Sequence, residues 1–410
     1  MNYDEAERWL FGRRRMGMKY GLDRMLSIME ELGHPEERFK TVHIVGTNGK
    51  GSTAAILSAL AGELGFKWGR GTSPHLLHYR ERIATGDGWI TPDEVAEFVT
   101  DNIHMLRKHS ATFFEITTAM AAWHFAGKGV DWVAAEAGLG GRLDATKTYR
   151  GAGTIFTGVR VEHSRILGDT REKIASEKVA VAEPGTVLVA FRQTPGVEAV
   201  LESATSENGL RRVIPKPVSR SPLPGEHQLR NSALALAAAE ELFDKPGEDI
   251  AQAYERVLVT LKWPGRLDYR SGNPSILFDV AHNPQSMSAL AAHVEKWKRP
   301  VPAVVGFLGD KPWKTMVSLL RGVVDPVFTT TPCSERRLPA EELASYMRNE
   351  GFDARPVDPI GKAVSQCRKH AEGGRMIVTG SFFVVGDALN RAVEAGWVGG
   401  VPESGPDGLD

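Results

Sequence analysis

The sequence predicts an α/β protein of two domains, each built on a mostly parallel sheet. Three observations predict it. An apolar run, a glycine turn and a helix-forming run follow one another over 42–60. Strand-like and helix-like segments then alternate to about residue 243. The alternation restarts after a Pro-Gly break at Lys262-Trp263-Pro264-Gly265-Arg266. A chain of 410 residues is long enough for two or three cores.

Residues 4–33 read as helix, with apolar positions including Leu10, Phe11, Met18, Leu22 and Met25 among charges. Arg13-Arg14-Arg15 reads as a solvated face of that helix, with an anion patch as the other reading. Val42-His43-Ile44-Val45 is a β-branched strand, and Ala54–Leu60 reads as helix. Between them lies Gly46-Thr47-Asn48-Gly49-Lys50-Gly51-Ser52-Thr53. Strand, glycine turn and helix are the context of a phosphate-binding loop. Backbone N–H groups approach phosphate oxygens where no Cβ intervenes, and the helix start adds its own donors. Lys50 would supply a point charge to the β/γ phosphates, and Ser52 or Thr53 a hydroxyl for Mg²⁺. The pattern departs from the usual one: Ile44 stands where a glycine is expected, and Gly51 follows the lysine.

Pro74 marks a loop leaving a short strand, with Ser73 a candidate metal ligand and Arg82 a candidate for an anionic substrate. Residues 92–107 and 111–127 read as helices. Residues 131–136 read as a buried strand ending on Glu136, a candidate Mg²⁺-side carboxylate, before the glycine-rich stretch 138–144. Residues 153–161 read as a strand ending at Glu162-His163, and Asp169-Thr170 as the cap of a helix over 171–178. Three strands ending on polar residues fit an open sheet that binds ligand at its carboxyl edge. Residues 186–191 form a further strand, 193–222 are illegible, and 231–243 read as an Ala/Leu-rich helix. Beyond the break, strands at 275–280, 301–308, 326–331 and 375–379 alternate with helices at 285–297, 312–322, 339–350 and 359–371. The tail 396–410, rich in Gly, Pro and acid, reads as disordered.

Composition excludes several classes. Fifty basic against 51 acidic residues leave a net charge of −1, which gives no broad surface for nucleic acid or anionic membrane. No apolar run approaches a membrane span, and the N-terminus lacks a secretory core. Cys333 and Cys367 form neither a disulfide framework nor a zinc site, so a reducing, cytoplasmic compartment is the simplest reading.

Taken together the motifs resemble one family. These are V-G-T-N-G-K-G-S at 45–52, T-S-P-H-L at 72–76, E-R-I at 81–83, F-E-I-T-T at 114–118 and E-A-G-L-G-G-R-L-D-A-T at 136–146. E-H at 162–163, I-L-G-D-T at 166–170, S-E-K at 176–178 and G-E-H-Q at 225–228 with Asn231 follow. W-P-G-R at 263–266, D-V-A-H-N-P at 279–284, D-K at 310–311 and T-G-S at 379–381 complete the set. The chain resembles the folylpolyglutamate synthase/dihydrofolate synthase family of the Mur ligase superfamily. The resemblance implies a P-loop ATPase-type domain over 1–262 and a smaller Rossmann-like domain on the glutamate side over 263–395. It implies ATP-dependent addition of L-glutamate to a folate or to dihydropteroate through an acyl phosphate. It also implies a cytoplasmic monomer whose partners are small molecules, not nucleic acid or membrane.

The resemblance assigns roles as well. Residues 47–53 with Asn231, Arg266 and Asp279 would bind ATP. Ser52, Ser73, Glu136, His163 and Lys178 would serve two Mg²⁺ sites, with Lys178 carbamylated. Lys50, His163, Lys178 and His282 would carry the catalysis. Arg82, Asp144, His282 and Ser381 would contact substrate. Lys147 and Glu162 stand where the family usually has asparagine and aspartate, which bears on substrate preference. The alternatives are a ligase joining an amino acid to a cell-wall precursor, and a nucleotide-dependent binding protein without ligase chemistry.

Overall fold

The computed structural model describes all residues except 17–20, 298–299, 372 and 401–410. The β-branched and small apolar runs become strands buried on both faces, as parallel sheets require. Eight of them make the first sheet: β1 (Lys40–Val45), β2 (Trp68–Gly71), β3 (Ile83–Thr85), β4 (Gly88–Trp89), β5 (Trp132–Glu136), β6 (Gly151–Phe156), β7 (Val187–Val189) and β8 (Arg211–Val213). Their order is β4-β3-β2-β5-β1-β6-β7-β8, antiparallel only at β2–β3 and β3–β4. The second sheet holds β9 (Asp268–Arg270), β10 (Ser275–Asp279), β11 (Val301–Val305), β12 (Val324–Thr329), β13 (Ala354–Pro356) and β14 (Arg375–Thr379). Its order is β13-β12-β11-β14-β10-β9, antiparallel only at β9–β10.

The central place of β1 positions the site. It pairs with β5 and β6 in parallel, with Ile44 opposite both Glu136 and Ile155. Three strand ends therefore lie side by side at one edge. Helix Lys50–Glu63 follows β1 and is buried nearly all round, because its Ala54, Ala55 and Ala59 let helix Glu226–Leu242 close over it. The opposite face of the sheet is covered by helices Pro92–Lys108 and Phe113–Lys128, each opened by a threonine capping box. Two further cores flank the second sheet. The chain passes from one unit to the other between helix Gly247–Thr260 and β9.

Several expectations are corrected. The helix over 4–33 is two α-helices, Tyr3–Gly12 and Asp23–Glu31, with a 3-10 turn at Arg13–Met16 and Gly21 at φ +115° before the second. Met18 lies outside the described residues. The strand over 153–161 stops at Phe156, because Gly158 takes φ +110°. The illegible 193–222 contains helix Pro195–Glu207 and β8. Helix Phe382–Glu394 was not anticipated. Disorder does not begin at Gly396: Val398 is buried and the Arg368 guanidinium stacks 4.9 Å from the Trp397 ring. Residues 401–410 lie outside the described set. Among the described residues no helix is long and apolar enough to cross a membrane.

Candidate active site

The loop after β1 turns on Gly49, whose φ of +87° excludes most side chains. A Cβ there would also run into the Asn231 amide. Lys50 opens the helix and folds back, its Nζ donating to the carbonyls of Gly46 (3.2 Å) and Thr47 (3.3 Å). The same ammonium lies 3.7 Å from Glu136 Oε1, which the β1–β5 register brings alongside. Glu136 Oε2 accepts from the Ser73 backbone N–H at 3.0 Å. Burial pushes the Glu136 carboxyl above its ordinary range, and Lys50 is the chief opposing influence. Ser52 accepts from Gln228 Nε2 (3.3 Å), and Gln228 Oε1 accepts from Asn231 Nδ2 (2.7 Å). Thr53 is a correction: the helical turn carries it into the core, fully buried and away from the cleft.

Helix Arg171–Val179 starts at Thr170, whose hydroxyl accepts from the Lys173 N–H at 3.2 Å. It delivers Lys178 to the loop, with Nζ 2.9 Å from the Gly46 carbonyl and 3.7 Å from Glu162. Two ammonium groups thus converge on one carbonyl. Burial, then Lys50, lowers the Lys178 pKa to about 8. His163 does not end a strand. It stands seven residues beyond β6 at φ +49°, a backbone state uncommon outside glycine, and opens a short helical turn. Burial lowers its pKa, against the pull of Glu162.

The second unit faces this loop. At the end of β10, Asp279 accepts from the N–H groups of Leu267 (2.8 Å) and Ala281 (2.9 Å). Burial raises its pKa to about 6. His282 Nδ1 lies 2.9 Å from the Val280 carbonyl, which makes Nδ1 the protonated nitrogen and leaves Nε2 an acceptor. Burial lowers this histidine to about 4, so the ring is neutral. The Arg266 guanidinium packs 5.0 Å from the Phe382 ring. The units touch directly: Asn48 Nδ2 donates to Gln285 Oε1 (2.9 Å), and Asn283 Nδ2 donates to Asn48 Oδ1 (2.8 Å).

Two joined cavities occupy the cleft. The first, about 270 Å³, is lined by residues 47–52 together with Ser73, Glu136, His163 and Lys178 from one unit and Arg266, Asp279 and His282 from the other. Asn231 lines it too. The second, about 650 Å³, shares Ser73, His163, His282 and Lys311 with the first and contains Arg82, Asp144 and Ser381. Arg82 is buried and its Nε bonds His75 Nδ1 at 2.8 Å. The Asp144 carboxylate is held within its own loop by the N–H groups of Leu139 (2.8 Å) and Thr146 (3.1 Å) and by the Thr146 hydroxyl (2.6 Å). Ser381 caps the helix it precedes, accepting from the Val384 N–H at 3.2 Å.

Gln228, Lys311 and Phe382 also line the first cavity, and the sequence carries no signal that assigns a role to any of the three. The sequence also favours a solvated face for Arg14, which lines the larger cavity. Only its proximity to Phe11 signalled this. Among the described residues no three His, Cys, Asp or Glu side chains converge as a metal cluster. Glu136, Ser73 and His163 on one cavity wall are a sparse oxygen/nitrogen set, suited to a hard cation whose remaining ligands come from phosphate and water.

Residues 265–382 match the family described as Mur ligase, glutamate ligase domain, which sets the second sheet among the Mur-type ligases. The whole chain is 30% identical over 427 residues to the dihydrofolate synthase/folylpolyglutamate synthase of Bacillus subtilis (strain 168), covering 95% of this chain and 99% of that one. It therefore belongs to the dihydrofolate synthase/folylpolyglutamate synthase family. Among solved structures, Mycobacterium tuberculosis folylpolyglutamate synthase complexed with ADP superposes with a TM-score of 0.83 at 28% identity, covering 95% of this chain and 97% of that one. The bifunctional folylpolyglutamate synthase/dihydrofolate synthase of Yersinia pestis, complexed with AMPPNP and Mn ion, gives 0.83 at 26% identity, with 95% and 98% covered.

Proposed function

We propose that the cleft activates a folate-type carboxylate with ATP and joins it to L-glutamate, releasing ADP and phosphate. One observation carries this reading. The phosphate loop with Lys50, Glu136 and Lys178 faces Asp279 and His282 of the other unit across one cavity that opens into a second. A carboxylate is a poor electrophile. Transfer of the γ-phosphoryl group to a carboxylate oxygen breaks the bond to ADP and forms an acyl phosphate. The free amine of glutamate attacks its carbonyl carbon, loses a proton and expels phosphate.

Each group then has a task. The loop amides and Lys50 grip the phosphates and offset charge that develops during transfer. Asn231, Arg266 and Asp279 hold the nucleoside side. Ser52, Ser73, Glu136 and His163 would hold a divalent cation with the phosphate oxygens. When bound, that cation supplies charge neutralisation and alignment. Lys178, with its lowered pKa, is available as a free amine to take up CO₂ as a carbamate, an oxygen ligand of the type Mg²⁺ prefers at a second site. His282 Nε2 accepts a hydrogen bond from the incoming amine. Arg82, Asp144 and Ser381 line the acceptor's path. Acyl phosphates hydrolyse, so closure of the two units excludes water, with 259–266 as the hinge.

The test supplies ATP, Mg²⁺ and L-glutamate with dihydropteroate, a folate or a muramyl peptide, and follows phosphate and amide product. Product with the folate or dihydropteroate supports the reading. Product with the muramyl peptide alone, or ATP binding without any amide, overturns it. A hinge angle that is the same with and without nucleotide removes the closure step.

A further inference from the structure

Arg82 is a buried cation without a counter-ion. It is 7% exposed, and the bond to neutral His75 is the single hydrogen bond its guanidinium makes among the described residues. Burial of that kind is costly unless an anion completes it. Arg14 enters the same cavity from the 3-10 turn at Arg13–Met16. Its guanidinium lies 4.2 Å from the Phe11 ring and 4.7 Å from the Phe113 ring, and Arg82 lies 5.2 Å from that same Phe113 ring. Arg14 likewise makes no ion pair or hydrogen bond among the described residues. Two guanidiniums are therefore held by aromatic faces around one ring, where they repel each other.

Among the described residues no acid of this cavity, Asp387 on helix Phe382–Glu394 included, forms an ion pair with either, and Glu136 and Glu81 act on Arg82 only at longer range. Glu115 pairs with Arg24 at 3.0 Å, and Asp144 is bonded inside its own loop. The cavity's other arginine, Arg336, already bonds Asp310 at 2.8 Å. Lys311 and His282 of the second unit line the end that the two cavities share.

Acceptors of this reaction differ in the charge they carry near the reacting end. Dihydropteroate carries a single carboxylate, the one that reacts. A γ-glutamyl acceptor carries an additional α-carboxylate that does not react. Resting on the folate-ligase reading above, we propose that Arg14 and Arg82 form a reader of that spare α-carboxylate, so that the site selects acceptors already bearing a glutamyl tail. Planar guanidinium forks bind a carboxylate in a fixed, two-pronged geometry, which a flexible ammonium does not reproduce.

The experiment compares kcat/KM for tetrahydrofolate monoglutamate with that for dihydropteroate in the wild type, Arg14→Gln and Arg14→Lys. More than a third of Arg14 is exposed, so neither substitution threatens folding. The expected result for Arg14→Gln is a fall of at least about tenfold in the monoglutamate-to-dihydropteroate ratio, carried by the monoglutamate KM. Arg14→Lys recovers only part of it. An unchanged ratio, or a wild type that uses dihydropteroate alone, overturns the proposal and leaves the ligase reading intact. A wild type that turns over neither acceptor overturns the ligase reading, and this proposal with it.

Discussion

Replacing Lys50 by methionine keeps the length and apolar stem of the side chain and removes its charge. Two electrostatic effects follow. A cation about 4 Å from a transferring phosphoryl group contributes about 4 kcal/mol at an effective dielectric constant of about 20. Lys178 bonds the same Gly46 carbonyl and would recover part of that. The remaining loss, about 3 kcal/mol, corresponds to a fall of about a hundredfold in rate. Glu136 meanwhile loses the cation 3.7 Å away, so its carboxyl, already raised by burial, rises further. The rate loss should therefore deepen as pH falls. The assay is phosphate release at saturating Mg²⁺ and glutamate from pH 6 to 9, with thermal unfolding as the control for folding. A folded Lys50→Met protein within tenfold of wild type would refute the reasoning and take the loop out of the mechanism.

Lys178 should respond to pH in the opposite sense. Its folded pKa of about 8 lies below the ordinary lysine value, so between about pH 8 and 10.5 the unfolded chain holds a proton that the folded chain has released. Stability relative to Lys178→Met therefore rises with pH across that window; a flat difference in denaturant titrations would contradict the assignment. Activity stimulated by bicarbonate, growing up to about pH 8 and absent in Lys178→Met, is the expected mark of the carbamate. Asp279→Asn leaves one acceptor oxygen for two N–H groups, Leu267 and Ala281, and should cost about 1–3 kcal/mol by chemical denaturation. Gly386→Ala places a Cβ against the Leu76 carbonyl across the two units, so kcat should fall while the unfolding midpoint moves little. Unchanged kcat would show that this contact does not set the closed arrangement.

The parts of the site that could be read from the chain are those in which short-range sequence fixes both conformation and chemistry. Strand, Gly49 and helix are adjacent in sequence, and so are the end of β5 and Glu136, or Thr170 and the helix it caps. His163 was misplaced because alternation alone does not reveal that Gly158 ends the strand and that a loop carries the histidine back to the cleft. The helix over 4–33 was overextended because apolar spacing persists through a stretch where the backbone turns at Gly21. Charge runs on helices are usually solvated, which is what the sequence suggests for Arg14, whereas its surroundings come from Phe113, about a hundred residues away. Pairing orders such as β2-β5-β1 are also non-local, and no local signal encodes them.

The same distinction explains why the segment from Ser73 to Arg82 matters beyond its ligands. Glu81 accepts from the backbone N–H groups of Leu76 (2.7 Å), Leu77 (2.6 Å) and His78 (2.7 Å), so one carboxylate sets the shape of the whole turn. That turn delivers Ser73 to Glu136 at one end and Arg82 to His75 at the other. Between them it presents Leu76 to Gly386 of the second unit, where only a glycine leaves room for the backbone. A single hydrogen-bonded loop therefore touches both cavities and the unit interface. Closing the units should move the acceptor relative to His282 while leaving its distance to Glu136 nearly fixed. In the reaction proposed above, that asymmetry suits phosphoryl transfer to the acceptor followed by attack of the amine from the His282 side.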